Sequence, residues 1–342
     1  MNLTKKQKFQ RADVSVSEIS TGTVQLGNLF RALSNKDAEE LLVQSWHHGS
    51  RYIDTAPFYG HGLSEHRVGH FLQSKAREEF VISTKVGRSL IPAPVGSFSH
   101  GDWVNVPGLK VEFDYSYEGV MKQFDSSLQR LLMNRVDILL LHDADHYTHG
   151  KDQPKMFEQA IAGAVPAMLK LREEGVVKAI GAGFNNIDCL IDIVNQADID
   201  CLLVAGRYTL LEQDGAQELM DLCESRGVSI VLGSIFNSGI LATGVKPGAR
   251  YHYETAKPEV LSKVTAINDV CAEFGVSLPA AAIQFVSAHP AVTSVCIGAS
   301  NVEQIKNNYR FAAERIPLEF WGELRKKNLI SDWAPTPGYL GA

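Results

Sequence analysis

The sequence predicts a (β/α)8 barrel, and three observations predict it. Short apolar runs alternate with amphipathic helical stretches from one end of the chain to the other. Eight such runs can be counted, each followed by a helical stretch, which is the barrel number. The 342 residues suit one barrel with insertions, and no linker, low-complexity tract or repeat divides them. Residues 1–342 are therefore expected to form a single domain.

Strands are expected near residues 19–26, 51–54, 80–85, 136–141, 177–182, 200–204, 228–233 and 293–297. The third run, Val81-Ile-Ser-Thr-Lys85, and the fourth, Val136-Asp-Ile-Leu-Leu-Leu-His142, set the pattern: short, apolar and closed by a polar residue. After the first strand, Ser34 caps a helix whose apolar residues recur at three-to-four spacing as far as Trp46. Leu63–Leu72 follows the second strand and Tyr117–Leu132 the third. The helical stretches Ala164–Glu174, Asp188–Asn195, Ala216–Arg226, Pro258–Phe274 and Val302–Ala313 follow the remaining five. Two segments depart from this rhythm. Gly87 to Tyr115 is rich in Pro, Gly and aromatics, including Phe98, His100, Trp103 and Phe113, and a loop of that length after a strand is expected to be a lid or pocket wall. The tail from Asp332 to Tyr339 carries prolines that bar regular structure.

Composition narrows the function classes. Hydrophobic content of 45% and charged content of 21% exclude long disorder. A net charge of −6 without a sustained basic run argues against nucleic acid or an anionic membrane as partner. The polar start, Met1 to Gln10, lacks the apolar core of a signal peptide, and no apolar stretch approaches the roughly 20 residues of a membrane span. The five cysteines are odd in number, widely spaced and without a Cys-x-x-Cys pair, as expected of reduced, buried thiols in a cytoplasmic protein.

Four polar residues sit at or just past expected strand ends: Asp54 and Tyr59 in Tyr52-Ile-Asp-Thr-Ala-Pro-Phe-Tyr-Gly60, Lys85, and His142. In a (β/α)8 barrel the reactive groups project from the C-terminal ends of the strands. A phenol ionises near pH ~10, too high for ready proton exchange at neutrality. A neighbouring ammonium, Lys85 held charged by Asp54, is expected to stabilise the phenolate of Tyr59. His142 is suited to donate to a substrate oxygen and relay a proton. This constellation suits hydride transfer, with the hydride donor or acceptor supplied by a cofactor. His142-Asp-Ala-Asp-His146 also has the composition of a metal motif, but a catalytic zinc wants ~3 protein ligands and only Asp54 and one more acidic strand end would complete a site, so no metal is expected.

The string Tyr52-Ile-Asp-Thr-Ala-Pro-Phe-Tyr-Gly-His-Gly-Leu-Ser-Glu65 resembles the aldo-keto reductase signature. Leu169-Lys-Leu-Arg-Glu-Glu-Gly-Val-Val-Lys-Ala-Ile-Gly181 and Ile297-Gly-Ala-Ser-Asn-Val-Glu-Gln304 resemble later motifs of the same family, in the same order. The resemblance spans essentially the whole chain. It implies a barrel binding NAD(P) in extended form, with Asp54, Tyr59, Lys85 and His142 as catalytic tetrad. Further strings, among them Ala205-Gly-Arg-Tyr-Thr-Leu-Leu211 and Phe236-Asn-Ser-Gly-Ile-Leu241, are similar to the branch of dehydrogenases acting on D-threo-aldoses (L-fucose) and pyridoxal. That branch implies loss of hydride from a cyclic hemiacetal carbon, giving a lactone, while the tyrosine takes the hydroxyl proton.

The chain departs from the family pattern around the cofactor. Gly181-Ala-Gly-Phe-Asn185 replaces the usual Ser-Asn after the fifth strand, so Asn185 is expected to hold the carboxamide from a shifted position. Ala205-Gly206 replaces a glutamine, and Phe236 or Asn237 is expected in place of a stacking tyrosine. In the loop and helix after the eighth strand, Gly298, Ser300, Gln304 and Asn308 are the expected dinucleotide contacts. Gly298 and Gln304 stand where NADPH-specific members place Lys and Arg, so NAD is expected over NADP. Gly181-Ala-Gly lacks the third glycine and the acidic residue of a Rossmann fingerprint. Phe58, His61, Arg88, Trp103 and His146 are expected to meet the substrate, which needs an aromatic face and a few directed polar groups.

The expected function is NAD-linked oxidation of a small sugar or hemiacetal, such as L-fucose or pyridoxal, to the lactone. The alternatives are a broad NADPH-dependent aldehyde or ketone reductase and, in another class, a cofactor-binding regulatory subunit with little turnover. A homo-oligomer is compatible with the sequence.

Overall fold

The computed structural model describes residues 6–94, 96–252 and 254–338. Eight strands close into a barrel: Ile19–Gly22, Tyr52–Asp54, Val81–Val86, Ile138–His142, Ala179–Phe184, Cys201–Ala205, Ser229–Gly233 and Val292–Gly298. Each pairs in parallel with its neighbours in sequence, and the eighth closes on the first, Gly298 opposite Gly22.

Every expected strand is present. The first is shorter than its apolar run suggested, because Val24–Gly27 tightens into a 3-10 turn. The reason lies in Gly27, whose backbone packs directly on Tyr59 and Gly60. A Cβ there would fall 2.5 Å from the Tyr59 carbonyl carbon, and Gly60, at φ +66, faces it with the same intolerance. The chain leaves the sheet to buttress the loop that carries Tyr59.

Alternation along the strands sorts the core into two layers. Tyr52, Ile138, Leu140, Cys201, Leu203 and Val231 point into the barrel. An antiparallel hairpin, Lys6–Lys8 with Ser15–Ser17, closes its floor and brings Phe9 and Val16 against them. Ile53, Ile82, Leu139, Leu141, Ile180 and Leu202 face outward into the helical layer. Two carboxylates stitch the N-terminal end. Asp137 accepts from Ile82 N at 2.9 Å and Arg77 Nη2 at 2.8 Å. Asp200 does the same two strands on, from Ile180 N and Arg172 Nη1, both at 2.9 Å.

The eight expected helices occur within a residue or two of their expected ends. Ser34 caps the first through Asp37 N at 3.0 Å. Two further long helices were not anticipated. Leu278–Ser287 is buried all round and so lacks the periodic signal of a half-exposed helix. Leu318–Lys326 follows the last barrel helix. No single helix among the described residues is long and apolar enough to cross a membrane. The segment 87–115 is not wholly irregular: Arg88–Pro92 and Leu109–Phe113 pair as an antiparallel hairpin. The tail is irregular as expected and is anchored by Trp333 against Tyr208 and His289. Its Tyr339 and the first five residues lie outside the described residues.

Candidate active site

At the C-terminal mouth of the barrel the structure brings Asp54, Tyr59, Lys85 and His142 together. Asp54 ends the second strand, and Lys85 points inward from the third. Lys85 Nζ reaches Asp54 Oδ1 and Oδ2 at 2.9 and 2.7 Å and Thr55 O at 2.9 Å. Ser83 Oγ donates to Asp54 Oδ1 at 2.7 Å and accepts from Tyr52 OH at 3.1 Å, so the carboxylate is held from two directions. The ammonium lies 4.7 Å from the centre of the Tyr59 ring. The His142 ring stands edge-on to the same phenol, 6.0 Å away.

Burial pulls the Lys85 ammonium toward neutrality, but Asp54 and Tyr59 outweigh it and hold its pKa above the ordinary lysine value. The phenol behaves otherwise than the sequence led us to expect. Burial pushes Tyr59 above the ordinary tyrosine value, and Lys85 only partly offsets this, so the resting group is protonated. Burial, then the charges of Arg88 and Lys85, hold the His142 imidazole well below its usual range, and it is neutral.

Three of the residues expected to meet substrate surround this cluster. Trp103 is carried in by the long segment after the third strand and packs edge-on against Phe58 at 5.3 Å and tilted to Tyr59 at 6.3 Å. Arg88 lies over the Phe58 ring at 4.0 Å and pairs with Asp143 at 2.5 Å. The other two turn elsewhere. His61, at φ +51, turns its ring to the hairpin: its Nδ1 meets Leu109 O at 2.6 Å and His100 Nδ1 at 3.2 Å. His146 is exposed and faces Asp188 at 3.7 Å, with the Cys189 thiol nearby and pushed up to about 12 by burial.

A cleft continues across the fifth to seventh strands, lined by Asn185, Gly206, Arg207, Ser234, Asn237 and His252. A Cβ at Gly233 or Gly206 would come no closer than 3.5 Å to a neighbour, so these positions leave the mouth open. Asn237 is buried, its Nδ2 donates weakly to Gly206 O at 3.5 Å, and its Oδ1 has no partner among the described residues. A buried orphan acceptor beside an open cleft fits the amide and hydroxyl donors of a dinucleotide. Asn185 gives both amide hydrogens to carboxylates, Asp143 at 3.1 Å and Asp145 at 3.2 Å, which leaves its Oδ1 as the acceptor. Phe236 packs on the core rather than lining the cleft.

Farther round, Gly298 is exposed at the end of the eighth strand. Gln304 Oε1 accepts from Ser300 N and Oγ at 2.8 and 3.0 Å, so those two residues occupy each other. Asn308 lines a small cavity behind them with Gly22 and Tyr309. Sequence reasoning missed Arg31, whose Nη2 donates to Ser300 O at 3.0 Å and puts a cation beside this loop. It also missed Ser83, Arg207 and Asp143; only Asp143 carried a signal, its place beside His142 at a strand end.

Comparison with known proteins agrees with this architecture. The family model described as Aldo/keto reductase family matches residues 18–329. The chain is 39% identical over 342 residues to pyridoxal 4-dehydrogenase of Microbacterium luteolum, covering 97% of this chain and 99% of that one. It is 42% identical over 331 residues to D-threo-aldose 1-dehydrogenase of Pseudomonas sp, covering 95% and 97%. Among solved structures, an aldo-keto reductase from Bacillus halodurans in its holo form superposes with a TM-score of 0.75 at 22% identity, over 96% of this chain and 97% of that one.

Proposed function

The chain belongs to the aldo/keto reductase family, and on that premise we propose that it oxidises a cyclic hemiacetal, an aldose or pyridoxal, to its lactone with NAD+. The carrying observation is the convergence of a charged Lys85–Asp54 pair and a neutral His142 on the Tyr59 phenol, under an aromatic wall. The two relatives near 40% identity, named for D-threo-aldose and pyridoxal dehydrogenation, support the substrate class.

Tyr59 is the general acid/base: as phenolate it takes the proton of the hemiacetal hydroxyl. Lys85, kept charged by Asp54, lowers the cost of that phenolate in a site where burial raises it. His142 accepts or passes on the proton from its neutral ring. Phe58 and Trp103 exclude water and present the ring faces on which a sugar or pyridine ring lies. Asn185 and Asn237 would hold the nicotinamide end of a bound dinucleotide, and the loop at the exposed Gly298 would hold its far end. A bound dinucleotide would supply the hydride acceptor for the carbinol carbon.

A second reading has its own observations. A phenol that rests protonated is ready to donate to a carbonyl, and Arg31 sets a cation at Ser300, where a 2′-phosphate would find it. These favour NADPH-dependent reduction. Initial rates with L-fucose, D-arabinose, L-galactose and pyridoxal, each with NAD+ and NADP+, decide. Turnover with NAD+ on one of them is expected. Silence there together with NADPH oxidation by simple aldehydes would replace the first reading by the second.

A further inference from the structure

Three strands' worth of functional groups meet at Asp143. Its Oδ2 takes Arg88 Nη2 at 2.5 Å and lies 3.3 Å from His142 Nε2; its Oδ1 accepts Asn185 Nδ2 at 3.1 Å. Arg88 comes from the hairpin after the third strand, His142 ends the fourth and Asn185 follows the fifth. Asp143 holds this post at φ +51, a left-handed backbone that most L-residues avoid, with its N–H bonded to Gly183 O at 3.1 Å. Arg88 is fixed in turn between the rings of Phe58, at 4.0 Å, and Phe113, at 4.8 Å.

We propose that Asp143 is a positioning residue for both halves of this site: its carboxylate holds the Asn185 amide with the oxygen left to accept from a ligand, and holds His142 as the Nε2–H tautomer. This rests on the oxidoreductase reading above and adds to it the group that couples substrate side to dinucleotide side. A neutral imidazole beside a carboxylate carries its proton on the near nitrogen, because the other tautomer sets a lone pair against a charged oxygen. Two N–H groups, from Arg88 and Asn185, donate to its two oxygens, and His142 Nε2 lies 3.3 Å from one of them. An amide in that place has one acceptor and one donor, so on one side a donor must face donors.

The groups facing the Asp143 carboxylate are Arg88 from the hairpin, Lys85 from the third strand, Tyr59 from the loop after the second, Tyr115 just past the hairpin, and His142 and Asp145 from its own segment; His149, from the turn of helix that follows, meets its backbone. Burial, opposed by Arg88 and assisted by Asp145, pushes the Asp143 carboxyl up to about 6. Protonation as pH falls through that value removes the negative charge and turns one oxygen into a donor, which should loosen the hold on His142 and leave Asn185 to Asp145.

The test has a spectroscopic arm and a kinetic arm. In 15N-labelled protein without dinucleotide, with His142 assigned by its loss in His142→Gln, the wild type should show Nε2 protonated, and Asp143→Asn should move the proton toward Nδ1. In turnover, the wild-type kcat should fall as pH drops through about 6. Asp143→Asn should lose that limb and between about 10-fold and about 10⁴-fold in kcat, the upper figure being the loss when a catalytic histidine is left in the wrong tautomer. Arg88→Gln keeps the carboxylate but removes its cation, so it should move the limb to higher pH; it serves also if Asp143→Asn does not fold. An unshifted tautomer in Asp143→Asn, or a limb that Arg88→Gln leaves in place, overturns the proposal. A wild type silent toward every substrate with both dinucleotides overturns the functional reading instead, and leaves the spectroscopic arm to decide this one.

Discussion

Replacing Lys85 by Met separates what the buried ion pair does for the fold from what it does for the chemistry. The substitution keeps the length of the side chain and removes three donated bonds, two to Asp54 and one to Thr55 O. Asp54 is then a carboxylate only 3% exposed, with Ser83 Oγ as its remaining side-chain donor. Breaking one half of such a pair costs about 3–5 kcal/mol. Unfolding entropy of roughly 2.1 cal/mol/K per residue over 342 residues gives about 0.7 kcal/mol/K, so Tm should fall by about 4–7 °C. In Asp54→Asn/Lys85→Met the orphaned charge is gone and the amide still accepts from Ser83. Stability should then return to within about 2 kcal/mol of wild type, or about 3 °C. Activity should not return, because nothing then offsets the cost of a buried phenolate at Tyr59. Thermal melts and initial rates on the three proteins are the assay. A double variant as unstable as Lys85→Met, or one that regains turnover with its stability, refutes the reasoning.

Tyr59→Phe should lower kcat by at least about 10²-fold while dinucleotide binding, read by fluorescence titration, stays within about twofold, since the phenol acts in proton transfer rather than in holding the cofactor. Because burial keeps the phenol protonated at rest, the rate of lactone formation should climb as pH rises from neutral into the alkaline range; a flat profile would assign the proton to another group. Asp137→Ala, at the opposite end of the barrel, strands Ile82 N and Arg77 and should cost about 2–4 kcal/mol, or about 3–6 °C in Tm, with kcat unchanged. Arg31→Ala should raise KM for NADP+ and leave KM for NAD+ alone; an equal rise in both would place Arg31 in support of the loop rather than beside the 2′ position.

The barrel was legible because its grammar is local. Each strand is a short apolar run, and each half-exposed helix carries its own period, so counting sufficed. Leu278–Ser287 escaped because a helix buried on every side has no polar face to mark it. The shortened first strand escaped because its end is set by Gly27 lying on Tyr59 and Gly60, residues more than thirty positions away.

The same division runs through the site. Asp54, Lys85 and His142 lie on strands, where alternation dictates that a side chain at the C-terminal end points into the mouth, and their convergence follows from the topology. Loop residues carry no such guarantee. His61 and His146 have the chemistry of substrate contacts, yet the left-handed backbone at His61 sends its ring under the hairpin, and His146 heads a turn of helix that faces Asp188. Asp143 shows the converse. Beside His142 it read as half of a metal motif, and what gives it a different partner is Arg88, delivered by a hairpin hidden in a stretch rich in proline and glycine. Side chains that act through a loop-borne partner become visible only when the loop is folded, and the cofactor cleft is built mostly of such residues. Strand-borne chemistry should therefore be shared widely among barrels of this ancestry, while Asn185, Arg207, Asn237 and Arg31, all set by loops, are the positions to vary when testing the choice of dinucleotide and substrate.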